Sequence, residues 1–350
     1  MEKIQIKGLQ HDIENNFLGV KKVSDLNRVI EDGSFRELVH LSEAYQDKRL
    51  VEIANMITAQ KKRVVLIAGP SSSGKTTTAK KLCIQLKVNG LTPLYLGTDD
   101  YFVEREDTPL DEDGKRNYED LEAVDVELFN RNINELLSGE ESDLPVFDFM
   151  TGHKQFGTRL TKIEPDQPIV IEGIHALNDQ LTSEIAADEK FKIFVCPITA
   201  IHIEDDAGVE PINHRMLRRM VRDNKFRGHS AKETIDMWQS VRRGENKNIF
   251  PFEKQADVNV NTSHIYEIPI LKKYAWPLLA AIGKEEKEFA EARKLMDFLD
   301  EFDSYPDDDI VPNDSILREF IGGSTFSEAD PAKNKKINTG DGELYKHFRY

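Results

Sequence analysis

"VVLIAGPSSSGKTTTAK", residues 64–80, decides the fold. Val64 to Ala68 read as a buried strand. The run breaks into a loop bounded by Gly69 and Gly74, and Lys75 opens an amphipathic stretch that ends near Gly90. Gly69-Pro-Ser-Ser-Ser-Gly74-Lys75-Thr76 satisfies G-x-x-x-x-G-K-[ST], with the strand before it and the helix after it that give the pattern meaning. The two glycines let the backbone curl with its N–H groups inward, and the helix adds its positive end, so the loop is an anion cradle. Ser71, Ser72, Ser73 and Thr77 complete it. Lys75 carries a point charge to the outer phosphates, and the Thr76 hydroxyl is a ligand for Mg²⁺. The loop reads as holding ATP or another nucleoside triphosphate.

Outward from this stretch, short apolar runs alternate with helical patterns. The runs are "RVVLIAG", "TPLYLGT", "QPIVIEGI", "KFKIFVCP" and "ADVNVNT". Strands alternating with helices predict an α/β fold, a mostly parallel central sheet flanked by helices. Helix-like spacing through Leu26, Val29 and Ile30, then Leu38, Leu41, Leu50, Ile53 and Ile57, places two or three helices before the first strand. The spacing predicts a helix near 125–137, an irregular ribbon from 144 to 165 with Gly152 and Gly157 at turns, and helix beyond 265 broken near Pro277 and Gly283. The expected division is a helical segment 1–60, a nucleotide-binding domain 61–265 with an arginine-bearing lid, a helical extension 266–325 and a polar tail 326–350.

The chain has 350 residues, 39% of them hydrophobic, and a net charge of −16. That charge disfavours a surface that tracks nucleic-acid phosphates. No apolar run approaches the ~20 residues of a membrane span, and the N-terminus lacks the apolar core of a signal peptide. The two cysteines, Cys83 and Cys196, sit in apolar runs and read as buried free thiols. The expectation is a cytoplasmic enzyme with small-molecule partners, no nucleic acid and no membrane; a homo-oligomer stays open.

Two strand ends carry acids. "YLGTDDYF" reads as the end of the second strand and puts Asp99 and Asp100 at its carboxyl end, at the edge where ligands bind in such sheets. A carboxylate there can accept the proton of an acceptor hydroxyl aligned with the γ-phosphate; the plainer alternative is a turn cap. "PIVIEGIHALN" brings Glu172 to the same edge, where it suits a Mg²⁺-linked ligand. In "NHRMLRRMVRDNKFRGHS", Arg215, Arg218, Arg219 and Arg222 fall at i, i+3, i+4 and i+7 on one helical face. Such a stripe fits phosphate oxygens and developing charge, or is simply a solvated basic face.

In this order, "GPSSSGKTT", "TDDYF", "PVFDFMTGH", "IVIEGI", "RRMVRD" and "ADVNVN" resemble the uridine kinase/phosphoribulokinase family. The segments 25–44, 233–252 and "SILREFIGGSTF" (315–326) resemble a bacterial nucleoside-kinase branch. Its members often carry an N-terminal region similar to the editing part of threonyl-tRNA synthetase; that region is not expected here. The resemblance implies a P-loop kinase that phosphorylates the 5′-hydroxyl of a nucleoside, with a mobile lid. It implies Asp99 as base, Lys75 on the phosphates, Glu172 linked to the metal, and Arg218 and Arg222 as lid arginines. Phe147, Asp148 and Phe149 would frame the nucleoside, with His153 at the base and Asp120 as a ribose ligand. Two departures stand out: Phe147 where the family usually has Tyr, and Gly152 before His153. The same chemistry on a sugar phosphate or a vitamin precursor is the alternative. A nucleotide-binding regulatory module is a further one, although no Asn-Lys-x-Asp strand end for guanine is present.

Overall fold

The computed structural model describes residues 17–112, 114–198, 201–204, 207–208 and 211–326. The N-terminal leader reading and nearly all of the polar tail lie outside these residues. Five strands form the sheet: β1 (Val64–Ala68), β2 (Leu94–Gly97), β3 (Ile169–Glu172), β4 (Lys190–Cys196) and β5 (Val258–Asn261). Their spatial order is β5-β4-β1-β3-β2, with every pair parallel. All five coincide with apolar runs of the sequence. Because side chains alternate along a strand, Val64, Leu66 and Ala68 enter the core on one face while Val65 and Ile67 enter it on the other.

Helices α1 (Val23–Glu31) and α2 (Phe35–Ala59) precede the sheet, and α3 (Lys75–Val88) follows the loop. Leu50, Ile53 and Ile57 of α2 join Ala79, Leu82 and Leu86 of α3 over the Val65 face. On the opposite face lies α4 (Val126–Leu137), through Phe129, Ile133 and Leu136. A third core gathers α1 with α5 (Pro211–Phe226), α6 (Ala231–Asn248), α7 (Glu267–Ala280), α8 (Phe289–Asp300) and Leu317, just before the short α9 (Arg318–Ile321). The helices on either side of the sheet segment therefore share a core with the arginine-bearing helix. Cys83 and Cys196 are free thiols. Among the described residues, no helix is long and apolar enough to cross a membrane.

Two local expectations are corrected. Pro277 does not break α7, which continues to Ala280. It stands on the exposed side of the last turn, where losing one N–H costs a single solvated bond. Asp99 and Asp100 are not strand residues: β2 ends at Gly97 and Thr98–Tyr101 form a 3₁₀ turn.

Candidate active site

β1 lies between β3 and β4, so the loop after it emerges at the switch point of the sheet. Close packing dictates the glycines. A Cβ on Gly69 would stand 2.0 Å from the Val195 carbonyl oxygen of β4, and Gly74 takes φ +82°. A Cβ on Gly173 would stand 1.8 Å from Thr98 Oγ1, so Gly173 is what lets the ends of β3 and β2 meet. Ser72 sits at φ +59°, a left-handed conformation that costs a non-glycine residue about 1–2 kcal/mol.

What holds this loop is a row of buried polar groups behind it. Ser71 O accepts from Arg215 Nη1 at 3.2 Å, Ser72 O from Arg218 Nη1 at 3.3 Å and Ser73 O from Thr262 Oγ1 at 2.6 Å. The Ser71 amide is held from the same side, donating to Glu245 Oε1 at 3.1 Å, and the Ser73 amide donates to Pro70 O at 3.2 Å. Each arginine has a buried carboxylate. Arg215 Nη2 meets Glu245 Oε2 at 2.9 Å, and Arg218 Nε meets Glu267 Oε2 at 2.8 Å. Arg218 is fully buried and its Nη2 also donates to Thr262 O. Glu267 receives His214 Nε2 at 2.7 Å as well. Burial would raise the Glu267 carboxyl, but the charges of Arg218 and His214 hold it well below the usual carboxylate range.

The expected arginine stripe is thus divided, and Arg218 is corrected from a lid residue to a support of the loop. α5 curves its first arginines into the core because Met216, Leu217 and Met220 anchor that half of the helix. The second half is different. Buried Asp223 gathers Arg219 (3.2 Å), Arg222 (2.8 Å) and Arg227 (3.6 Å). Arg219 Nη1 donates to Ser71 Oγ at 2.9 Å, and Arg222 and Arg227 are near enough to act on the charge of Asp99.

In front of the loop, Lys75 Nζ donates to the carbonyls of Gly69 (3.0 Å) and Pro70 (3.3 Å). Thr76 Oγ1 and Tyr95 OH both donate to Glu172 Oε1, at 2.8 and 3.1 Å. Glu172 is level with Ile67 and Gly97 at the carboxyl edge of the sheet. Burial, and then the charge of Asp99, push its carboxyl up to about 7. Asp99 is exposed to solvent at the mouth of the site. Desolvation by the groups packed around its carboxyl, and the neighbouring charge of Asp100, raise it against the charges of Lys75, Arg227 and Arg222. No hydrogen bond described for the chain ties down the Asp99 carboxylate. Its neighbour is committed elsewhere: Asp100 Oδ2 receives Arg159 Nη1 at 2.9 Å. A hydroxyl and a carboxylate at a strand end beside a phosphate cradle are hard oxygen donors of the kind Mg²⁺ takes. Buried Ser72 and Ser73 hydroxyls without a protein partner leave donors for phosphate oxygens.

The acceptor side is only partly as expected. Val146–Asp148 pairs antiparallel with His153–Gln155, and Phe147 is buried in an aromatic group with Phe102 (5.8 Å) and Phe149 (5.1 Å). Asp148 is not free: its Oδ1 accepts from the Met150 amide at 2.8 Å, closing the turn before Gly152. His153 Nδ1 lies 2.7 Å from Glu104 Oε2. Asp120 is held by Lys247 Nζ at 2.7 Å. Glu119, beside it, is the acid under the influence of Arg219, Lys75 and Asp99, with a carboxyl raised by burial. Glu119, Glu245 and Glu267 escaped the sequence reading because each lies far from the loop motif in the chain; Asp223 ends the quoted "RRMVRD" but was passed over for the arginines beside it.

A parallel sheet with a glycine-bounded phosphate loop at its switch point, faced by acids and arginines, defines a P-loop phosphotransferase. Residues 64–268 match the Phosphoribulokinase / Uridine kinase family, and the chain belongs to that family. It is 32% identical over 207 residues to the uridine kinase of Ligilactobacillus salivarius, covering 59% of this chain and 88% of that relative. Among solved structures, a possible uridine kinase from Bacillus stearothermophilus aligns with TM-score 0.41 and 22% identity, covering 61% of this chain and 98% of that one. D-glycerate 3-kinase from Cryptococcus neoformans aligns with TM-score 0.31 and 14% identity, covering 74% and 91%. The chain is a kinase of nucleosides or other small molecules.

Proposed function

We propose that this chain transfers the γ-phosphate of ATP, or another nucleoside triphosphate, to the 5′-hydroxyl of a nucleoside of the uridine or cytidine kind. The observation that carries the reading is Asp99: a carboxylate that no hydrogen bond among the described residues ties down, amid Lys75, Arg222 and Arg227, while Asp100 is bound to Arg159. In this reading Asp99 accepts the acceptor's proton as the hydroxyl attacks. The loop amides and Lys75 bind the phosphates, and Arg222 with Arg219 and Arg227 meet the charge that spreads over the transferring group. Thr76 and Glu172 would hold Mg²⁺, which when bound neutralises phosphate charge. Arg218 acts at one remove, through the Ser72 carbonyl. Residues 61–265 form the catalytic unit in this reading, with 1–60 and 266–325 as helical supports.

Two features favour a neutral, planar acceptor over a sugar phosphate. Exposed Phe149 and half-buried Tyr118, backed by the buried rings of Phe147 and Phe102, offer aromatic faces for a base. Lys154, the cation of the ribbon, is taken up by Asp125 at 3.2 Å and Glu104 at 3.7 Å. Coupled ADP release over a panel of nucleosides, sugar phosphates and other alcohols tests this. Turnover with uridine or cytidine well above the rest is expected; turnover only with a phosphorylated sugar would overturn it.

A further inference from the structure

Beyond residue 268, where the family match ends, the chain returns to the phosphate loop. Ile316 packs on Gly74, so closely that a Cβ there would meet Ile316 Cγ2 at 2.6 Å. Phe320 lies under the Arg218 guanidinium, 4.9 Å from ring centre to Cζ, and Lys80 Nζ donates to Phe326 O at 2.8 Å. Glu319 reaches the cradle itself. Its Oε2 accepts from Thr77 Oγ1 at 2.7 Å and from the Thr77 amide at 3.4 Å.

The Thr77 amide and hydroxyl follow directly on Thr76 in the first turn of α3, among the donors the loop turns toward the inner phosphates of a triphosphate. A carboxylate on those donors stands where a phosphate oxygen would, and two anions cannot share them. We propose that Glu319 is a built-in competitor of the donor's inner phosphate and sets how tightly the donor binds. This rests on the triphosphate reading of the loop. Entry of the donor then swings the Glu319 side chain aside while the segment that carries it stays. The neighbours allow that: Phe320 and Ile321 are buried, and Arg318 is fastened to Val311 O at 2.7 Å and Asp308 O at 2.8 Å. Glu319 itself is partly exposed.

The experiment is calorimetric titration of the full chain with ADP and Mg²⁺, comparing wild type with Glu319→Gln and Glu319→Ala after thermal melts confirm folding. Both variants should bind about tenfold tighter, the scale of removing one anion from a partly exposed anion site. Equal or weaker binding in the folded variants overturns the competitor role and leaves the triphosphate site standing. Absence of binding in wild type and variants alike removes the triphosphate reading, and this inference with it. Should neither variant fold, carbon NMR of the glutamate carboxyls in the wild-type chain decides: the Glu319 resonance, assigned apart from that of Glu172, must move when ADP and Mg²⁺ saturate the site and the Thr77 amide shifts, and a Glu319 resonance that stays unchanged overturns the proposal.

Discussion

Thr76 Oγ1 donates to Glu172 Oε1 across 2.8 Å, joining the first turn of α3 to the end of β3. Thr76 stands in the first turn of a helix and Glu172 ends a strand 96 residues further on, and the sheet brings them together. The hydroxyl that the loop pattern reserves for a cation therefore rests on a carboxylate that burial and Asp99 push up to about 7, so that it keeps its proton far longer than an ordinary carboxyl.

The carboxyl is raised by burial first and by Asp99 next, so part of the Glu172 population is protonated at neutral pH. A divalent cation binds the ionised form and drives the proton off. Loading nucleotide with Mg²⁺ should release nearly one proton per site at about pH 6, less at about pH 7, and little above about pH 8. Affinity should rise over the same range. Calorimetry in buffers of different ionisation enthalpy measures this, and Glu172→Gln should abolish it.

The Arg218–Glu267 pair predicts stability rather than chemistry. Removing one partner of a buried ion pair leaves the other uncompensated, at a cost of about 3–5 kcal/mol. Glu267→Gln should fall near the lower end, because the amide still accepts from Arg218. A denaturant titration that moves by less than about 1 kcal/mol would show that the pair does not support the loop.

Arg222 and Arg227 should behave oppositely. Replacing either by Gln removes a cation near Asp99 while Asp223 keeps its other arginines. Turnover should fall roughly 10²-fold, with nucleotide affinity changed much less. Losses confined to affinity would place them on the ground-state phosphates instead.

His175 supplies a pH signature. It is fully buried, and burial pushes its pKa down to about 4, with Asp120 opposing. The unfolded chain therefore binds this proton more readily than the folded one, so its contribution to stability is intact above about pH 6.5 and is lost as pH falls toward 4. The loss should approach about 3 kcal/mol, and His175→Asn should flatten that part of the unfolding profile.

The sheet and the loop were legible because each rests on local pattern: five apolar runs, two glycines, a lysine at the head of a helix. The strand-end acids were legible in place but not in orientation. Asp99 and Asp100 are told apart by the partners of Asp100, Arg159 and the Phe147 amide, 59 and 47 residues further on. The arginines show the limit most plainly. Helical spacing put Arg215, Arg218, Arg219 and Arg222 on one face, yet Glu245 and Glu267 take two of them into the core and Asp223 turns the others toward the loop. Glu245 and Glu267, 30 and 49 residues from their arginines, leave no trace in periodicity. Asp148 and Asp120 misled for a related reason: short acids also close turns and pair with lysines.

The central claim is that Asp99 accepts the proton of a nucleoside 5′-hydroxyl as the phosphoryl group crosses. Its most direct test is single-turnover transfer from γ-labelled ATP to uridine, with the product's phosphorylated position determined, in wild type, Asp99→Asn and Asp100→Asn. Wild type should form the 5′-monophosphate, and Asp99→Asn should slow the step roughly 10²–10⁴-fold while ATP binding persists. Asp100→Asn should act mainly by loosening the Arg159 contact. Transfer at the wild-type rate in a folded Asp99→Asn variant, or ATP hydrolysis with no phosphorylated nucleoside, would contradict the claim.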